Sequence, residues 1–180
     1  ADIRRISDAG LAANYFAAGD RKAVALNGTV GSQSLNDTYY CYIIGIDHNS
    51  SKEGTNRIHF QFGYSALSDG AQIAFTDSSY ARSNKSDCFH MNSSNTNSGG
   101  WESSYARGTL CTLFKDAMPS DLQTGLKTVS KYSDNQGGGS DTASYVTATT
   151  DEIFLLAEYE VFSSQKYANS AEQNYQAQYD

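Results

Sequence analysis

Proline occurs once in these 180 residues, tryptophan once, methionine twice and cysteine three times. One proline excludes a polyproline spacer or a proline-rich recognition tract. Cys41, Cys88 and Cys111 are too few and too widely spaced for a disulfide framework, so either one bridge or three free thiols is compatible with them. Basic side chains are scarce as well: 13 Lys and Arg against 20 Asp and Glu give a net charge of −7. Without a basic stripe, that balance argues against nucleic-acid backbones and anionic membranes as partners. Apolar runs stay far below the roughly 20 residues of a membrane span. Residues 1–20 also lack the basic start and apolar centre of a secretory leader. No membrane insertion is expected.

Aromatic side chains are plentiful. The hydrophobic fraction is 39%, yet aromatics make up 12%, with 13 Tyr and 8 Phe. Tyrosine brings apolar area with a polar tip, so a thin core and an adhesive surface are expected. The length suits a single domain spanning 1–180. Within it, 1–98 reads as an N-terminal helix followed by strands, 99–162 as a helix with further strands, and 163–180 as a polar tail.

The run Gly99-Gly100-Trp101-Glu102-Ser103-Ser104-Tyr105-Ala106-Arg107 holds the sole tryptophan behind two glycines. Glycine permits backbone conformations that other residues avoid. At helical spacing, Trp101, Ser104 and Arg107 come close to one face. Such a triplet can bury an indole, satisfy a helix start with a hydroxyl and aim a guanidinium at carbonyls or a carboxylate. It contains no catalytic constellation and reads as a structural clamp; a sugar-stacking tryptophan is the competing reading.

Elsewhere, residues 2–16 are loosely helical with Gly10 as a weak point. Ala23 to Leu26 and Tyr39 to Ile46 read as strands separated by the polar stretch 27–38, the second apolar on both faces like a central strand. Ile58, Phe60 and Phe62 alternate with His59 and Gln61, the pattern of a half-buried strand. A further strand is expected at Ala71 to Phe75, and mostly loop over 83–100. A helix is expected from Trp101 and a short second one from Pro119. Lys127 to Tyr132 and Thr147 to Leu156 read as extended. The class is α+β with short antiparallel strands and two or three helices.

Several elements together resemble a known family. These are Gly-Gly-Trp with Ser and Arg at +3 and +6, the following Leu-Phe helix, Met118-Pro119, Lys127 to Lys131, Thr150 to Leu156, and Glu160-Val161-Phe162. Gly19-Asp20-Arg21-Lys22 and Ile58-His59-Phe60 extend the likeness towards the N-terminus. The family is a domain of unknown function found in gut Firmicutes and their phages, often within large structural or surface proteins. The resemblance implies a fold akin to the C-type-lectin-like and formylglycine-generating-enzyme group. It also implies a virion or an extracellular, cell-surface location. The family's usual Trp-Trp-Leu-Arg-Ser and Gly-x-x-Pro-Ala-Phe stretches are absent after Asn174 to Tyr179, so against the family pattern the chain is a fragment of a lectin-like fold, has its other half supplied elsewhere, or is a reduced version of the fold.

The chemistry-bearing residues are weighed individually. His48, His59 and His90 are scattered, and none has a partner at zinc-ligand spacing. Cys88-Phe89-His90 brings a thiol near an imidazole but lacks further ligands or an orienting third group. Asp47 to Glu53 only superficially resembles a calcium loop, because Lys52 and Ile58 stand where glycine and glutamate belong. Among the carboxylates Glu158, Glu160, Asp151 and Glu152, Asp151 is expected to begin a turn and a glutamate to answer Arg107. No catalytic residue, metal or cofactor is expected, and the ligand-binding residues are unassigned. The expected structural set is Gly99, Gly100, Trp101, Ser104 and Arg107. Small polar residues with tyrosine in the loops at 83–100 and 132–147 suit adaptable contact surfaces. The expectation is therefore a non-enzymatic phage structural or surface adhesion module that contacts a host-surface glycan or protein. Alternatives are a capsid or tail decoration domain meeting neighbouring virion subunits, homo-oligomers included, and a split or degenerate enzyme of the formylglycine-generating group.

Overall fold

Leu26, Val30, Leu35 and Tyr39 are the key to the N-terminal half, because they repeat with strand period inside a stretch that is otherwise polar. All four are buried, and Asn27, Thr29, Ser34, Asn36 and Thr38 between them are exposed. The computed structural model describes residues 2–31, 33–63, 91–92, 96, 98–136, 141–162 and 169–172. In it β1 (Arg21–Val30) and β2 (Gln33–Ile46) form one long antiparallel hairpin, with β3 (Ile58–Gly63) on the other side of β2. The polar stretch 27–38 thus belongs to the strands themselves rather than separating them. Its alternate residues reach the core, and Gly31, at φ +60°, opens the connection. The double-sided apolar segment of β2 is the central strand, as its composition predicts.

A second, two-stranded sheet pairs β4 (Val129–Asp134) with β5 (Val146–Asp151). Helices are short and, among the described residues, more numerous than the two or three expected. They are α1 (Asp2–Asp8), α2 (Ala12–Tyr15), α3 (Ser50–Glu53), α4 (Cys111–Asp116), α5 (Ser120–Gln123) and α6 (Glu158–Phe162). The break between α1 and α2 falls at Gly10, which has φ +72°. Pro119 precedes α5, where its fixed φ and missing N–H cost least. A π-helical turn, Ala106–Leu110, leads into α4, so the helix begins about a turn later than Trp101. No helix among the described residues is long and apolar enough to cross a membrane.

The core lies between the inner face of the first sheet and this helix. Val24, Leu26, Val30, Leu35, Tyr39 and Cys41 meet Trp101, Ala106, Leu110, Phe114 and Met118. Contact is closest at Gly28, where a Cβ would come within 2.8 Å of the Ala117 Cβ. There the Asn27 N–H also donates to the Ala117 carbonyl at 2.8 Å. The architecture is α+β with small antiparallel sheets. The segment expected to be a polar tail contributes structure: Glu172 accepts hydrogen bonds from the Asp134 N–H (2.7 Å) and the Asn169 N–H (3.2 Å), and the Asn169 amide donates to Thr142 O (2.9 Å). The strand expected at 71–75, two thirds of the loop at 83–100 with Cys88 and His90, and Asn174 to Tyr179 lie outside the described residues.

Candidate functional site

The clamp residues assemble around one carboxylate. Gly99 and Gly100 have φ of +78° and +56°, and a Cβ on Gly100 would sit 2.5 Å from the Asn135 Cα. Only glycine lets this turn approach the β4–β5 hairpin so closely. The turn drives Trp101 inward, leaving it 3% exposed. Its indole N–H donates to Asp151 Oδ2 at 2.9 Å, and Arg107 Nε donates to Asp151 Oδ1 at 2.8 Å. Thr149 Oγ1 supplies a third hydrogen bond to Asp151 Oδ2, at 2.5 Å. The Ser104 hydroxyl donates to Trp101 O (2.9 Å) and accepts from the Arg107 N–H (3.1 Å), which satisfies a donor at the helix start. All five residues expected to form the clamp belong to one connected unit.

The partner of the arginine differs from the expected one. Asp151, at the end of β5, answers Arg107, whereas Glu160 pairs with Lys131. The reason is register: Val129 faces Asp151 and Lys131 faces Thr149, so Asp151 and Lys131 both project to the buried side of the second sheet. Lys131 and Glu160 are 1% and 0% exposed in their side chains, and Glu160 Oε2 also accepts from the Ala157 N–H at 2.8 Å. Beside the clamp lies a cleft of about 220 Å³ lined by Arg107, Cys111, Lys115, Thr128, Asp151 and Glu152. Ligand pockets for drug-sized molecules run from roughly 300 to 1,000 Å³, and an ion pair between Lys115 and Glu152 spans part of this smaller space.

Cys41 and Cys111 carry free thiols. Burial pushes both up to about 12, with Asp151 adding to the shift at Cys111 and Arg107 opposing it. Neither thiol has the lowered value of a nucleophile.

A second cluster was illegible from spacing. The β2–β3 connection folds into the single turn of α3. Asp47, at φ +50°, closes it by accepting the Arg57 N–H at 2.9 Å, and Gly54, at φ +89°, ends the helix. Asp47 is therefore engaged in closing the loop, which answers the superficial calcium-loop pattern. His48 precedes α3, Glu53 ends it, and His59 follows on β3. The ligand-bearing atoms of these three residues all lie within 4.8 Å of one another. His59 Nε2 is 2.8 Å from Glu53 Oε2, and the rings of His48 and His59 meet edge to face at 4.7 Å. Two of the histidines expected to be scattered thus come together with a carboxylate. The turn of α3 carries His48 and Glu53 back over the start of β3, where His59 lies. His59 is buried and Phe60 is 37% exposed, the inverse of the apolar pattern. Burial, together with His59, lowers the His48 pKa, and Glu53 opposes the shift.

Comparison with protein-family models, with curated proteins and with solved structures finds no match to this chain.

Proposed function

We propose that the domain is a non-enzymatic adhesion module of a virion or cell surface, and that it contacts a host-surface glycan or protein through the outer face of the β1–β2 hairpin. The observation that carries this reading is the chemistry of that face. Residues directly opposite in an antiparallel pair share a side. The register therefore groups Ala23 with Tyr40, Ala25 with Thr38, Asn27 with Asn36, and Thr29 with Ser34. All except the half-buried Tyr40 are exposed. On a chain of net charge −7 this face carries amides, hydroxyls, small side chains and one tyrosine ring, with Arg21 stacked over that ring at 5.0 Å. Such groups hydrogen-bond to sugar hydroxyls or to a peptide backbone and offer an aromatic platform at little entropic cost.

The clamp supports the same reading from the opposite side. Its indole N–H, hydroxyl and guanidinium are already bonded within the fold, so they act as scaffold and leave recognition to the surface. A lectin-like arrangement of the domain belongs to the same proposal.

Architecture in a virion is the second reading, favoured by Leu11 and Tyr15, which are 41% and 65% exposed. Leu11 caps the start of α2 and Tyr15 ends it, so the two exposed side chains flank one helical turn that a neighbouring subunit would cover. A glycan array probed with the folded chain, beside sedimentation analysis of its mass, separates the two. Adhesion predicts retention of a restricted set of glycans by the wild type and its loss in an Asn27→Arg/Thr38→Arg variant. A stable closed oligomer that retains no glycan would instead establish the architectural reading.

A further inference from the structure

We propose that His48, Glu53 and His59 form a binding site for one divalent transition-metal ion of the zinc class. Two imidazole nitrogens and one carboxylate oxygen are a donor set that suits borderline cations such as Zn²⁺. Calcium and magnesium prefer cages built from oxygen alone. Ligand atoms each about 2.1 Å from a tetrahedral ion lie roughly 3.4 Å apart. The three here are within 4.8 Å of one another, and one pair is already at 2.8 Å. Closing the set requires side-chain adjustment on the order of 1 Å, without refolding the loop.

Unanswered polar atoms point to a ligand independently of this geometry. The Glu53 side chain is 1% exposed, and its Oε1 has no hydrogen-bond partner among the described residues. Both ring nitrogens of His48 and both amide atoms of Asn49, buried at the start of α3, are in the same position. An imidazole always presents a donor, an acceptor or both, and buried polar groups normally find partners. Five unpaired atoms on three residues of a single turn mark a place built around something else.

The surroundings leave the cluster electrostatically open to a cation. Two ammonium groups are near: Lys131 is held by Glu160 and lies 4.8 Å from the centre of the Phe154 ring, and Lys52, beside Glu53, donates to the Ala171 carbonyl at 2.9 Å and to Glu172 O. Phe154 in turn meets the edge of His59 at 5.8 Å. A wall of aromatic carbon thus stands beside the histidine, and both neighbouring ammonium groups already have partners within the fold. The ion would join the end of β2, α3 and the start of β3, fastening the loop 47–57. Three protein ligands leave a further position for water or an outside ligand.

The test uses the whole chain, stripped with a chelator and then titrated with Zn²⁺ in competition with a chromophoric chelator, and separately with Co²⁺ followed by visible absorption. The expected result is one ion per folded chain, a higher thermal midpoint with Zn²⁺, and Co²⁺ bands without thiolate charge transfer. His48→Gln and Glu53→Gln should each weaken binding by at least the roughly 10–100-fold that loss of a metal's outer-shell partner costs. A Cys88→Ser/His90→Ala variant should bind like the wild type. Absence of Zn²⁺ binding by the folded wild type would overturn the proposal, as would a thiolate charge-transfer band. So would loss of binding in the Cys88→Ser/His90→Ala variant with retention in His48→Gln. The wild-type Co²⁺ spectrum decides the matter if the ligand variants fail to fold.

Discussion

Replacing Asp151 with alanine removes the acceptor at the centre of the clamp. The Trp101 indole N–H loses its bond in a place where water does not reach, a penalty of about 1–3 kcal/mol. Arg107 has a 30% exposed side chain and a second bond to Glu102 O at 3.3 Å, so its loss is discounted for solvent to about 0.5–1 kcal/mol. Thr149 keeps a long hydrogen bond to Lys131 O at 3.4 Å and adds little. The total is about 3 kcal/mol, which for a chain of this size lowers the melting temperature by about 6–12 °C. Asp151→Asn can keep its oxygen toward the indole but turns its NH2 toward Arg107 Nε, so it loses both the charge and the acceptor there and should cost about 1 kcal/mol. Urea unfolding followed by fluorescence is the assay, because Trp101 is the only indole and reports on its own surroundings. The native emission of Asp151→Ala should move to the red. A variant within about 0.5 kcal/mol of wild type with unchanged emission would refute the reasoning, as would Asp151→Asn proving as damaging as Asp151→Ala.

Four further outcomes follow from the same contacts. Glu160→Gln should lower stability by about 3–5 kcal/mol, since it leaves the buried Lys131 ammonium without its counter-charge. The Lys131→Met/Glu160→Leu double variant should lose less than Glu160→Gln in the same urea series. Gly28→Val should cost at least the roughly 1–3 kcal/mol of an overpacked core, because its Cβ meets Ala117, whereas Gly108→Ala, with nothing within 4 Å, should be neutral or stabilising by denaturation. In a Cys88→Ser/Cys111→Ser background, the buried Cys41 thiol, raised to about 12, should react with a disulfide reagent at pH 8 only on unfolding; prompt native labelling would contradict its burial. Burial raises the pKa of Glu172 above the ordinary 4.5, despite the hydrogen bonds from Asp134 and Asn169. Its protonated form therefore favours the folded state, and this contribution should be complete below pH 4.5 and fall away as pH rises through the raised value. Comparing the pH dependence of unfolding with that of Glu172→Gln measures it.

What was legible in the sequence followed strong local signals. The glycine pair, the proline before α5 and the doubly apolar Tyr39 to Ile44 each announce one conformation, and each is found where composition placed it. The polar stretch 27–38 misleads because a strand with one face in solvent needs only alternate apolar residues, and Gly28 occupies an inward position with no side chain at all. Asp151 rather than a glutamate answers Arg107 because cross-strand register, invisible along the chain, decides which acid lies beneath the helix. The His48–Glu53–His59 cluster escaped for the same kind of reason. Its ligand spacing depends on a one-turn helix in the β2–β3 connection, which leaves no periodic trace.

Glycan-array profiles of the wild type, Trp101→Phe and Asn27→Arg/Thr38→Arg, each first shown to be folded by circular dichroism, test most directly whether the indole is scaffold and the outer sheet face the contact surface. The expected result is an unchanged profile for Trp101→Phe and a lost one for the arginine pair. Binding abolished by Trp101→Phe and untouched by the two arginines would contradict it.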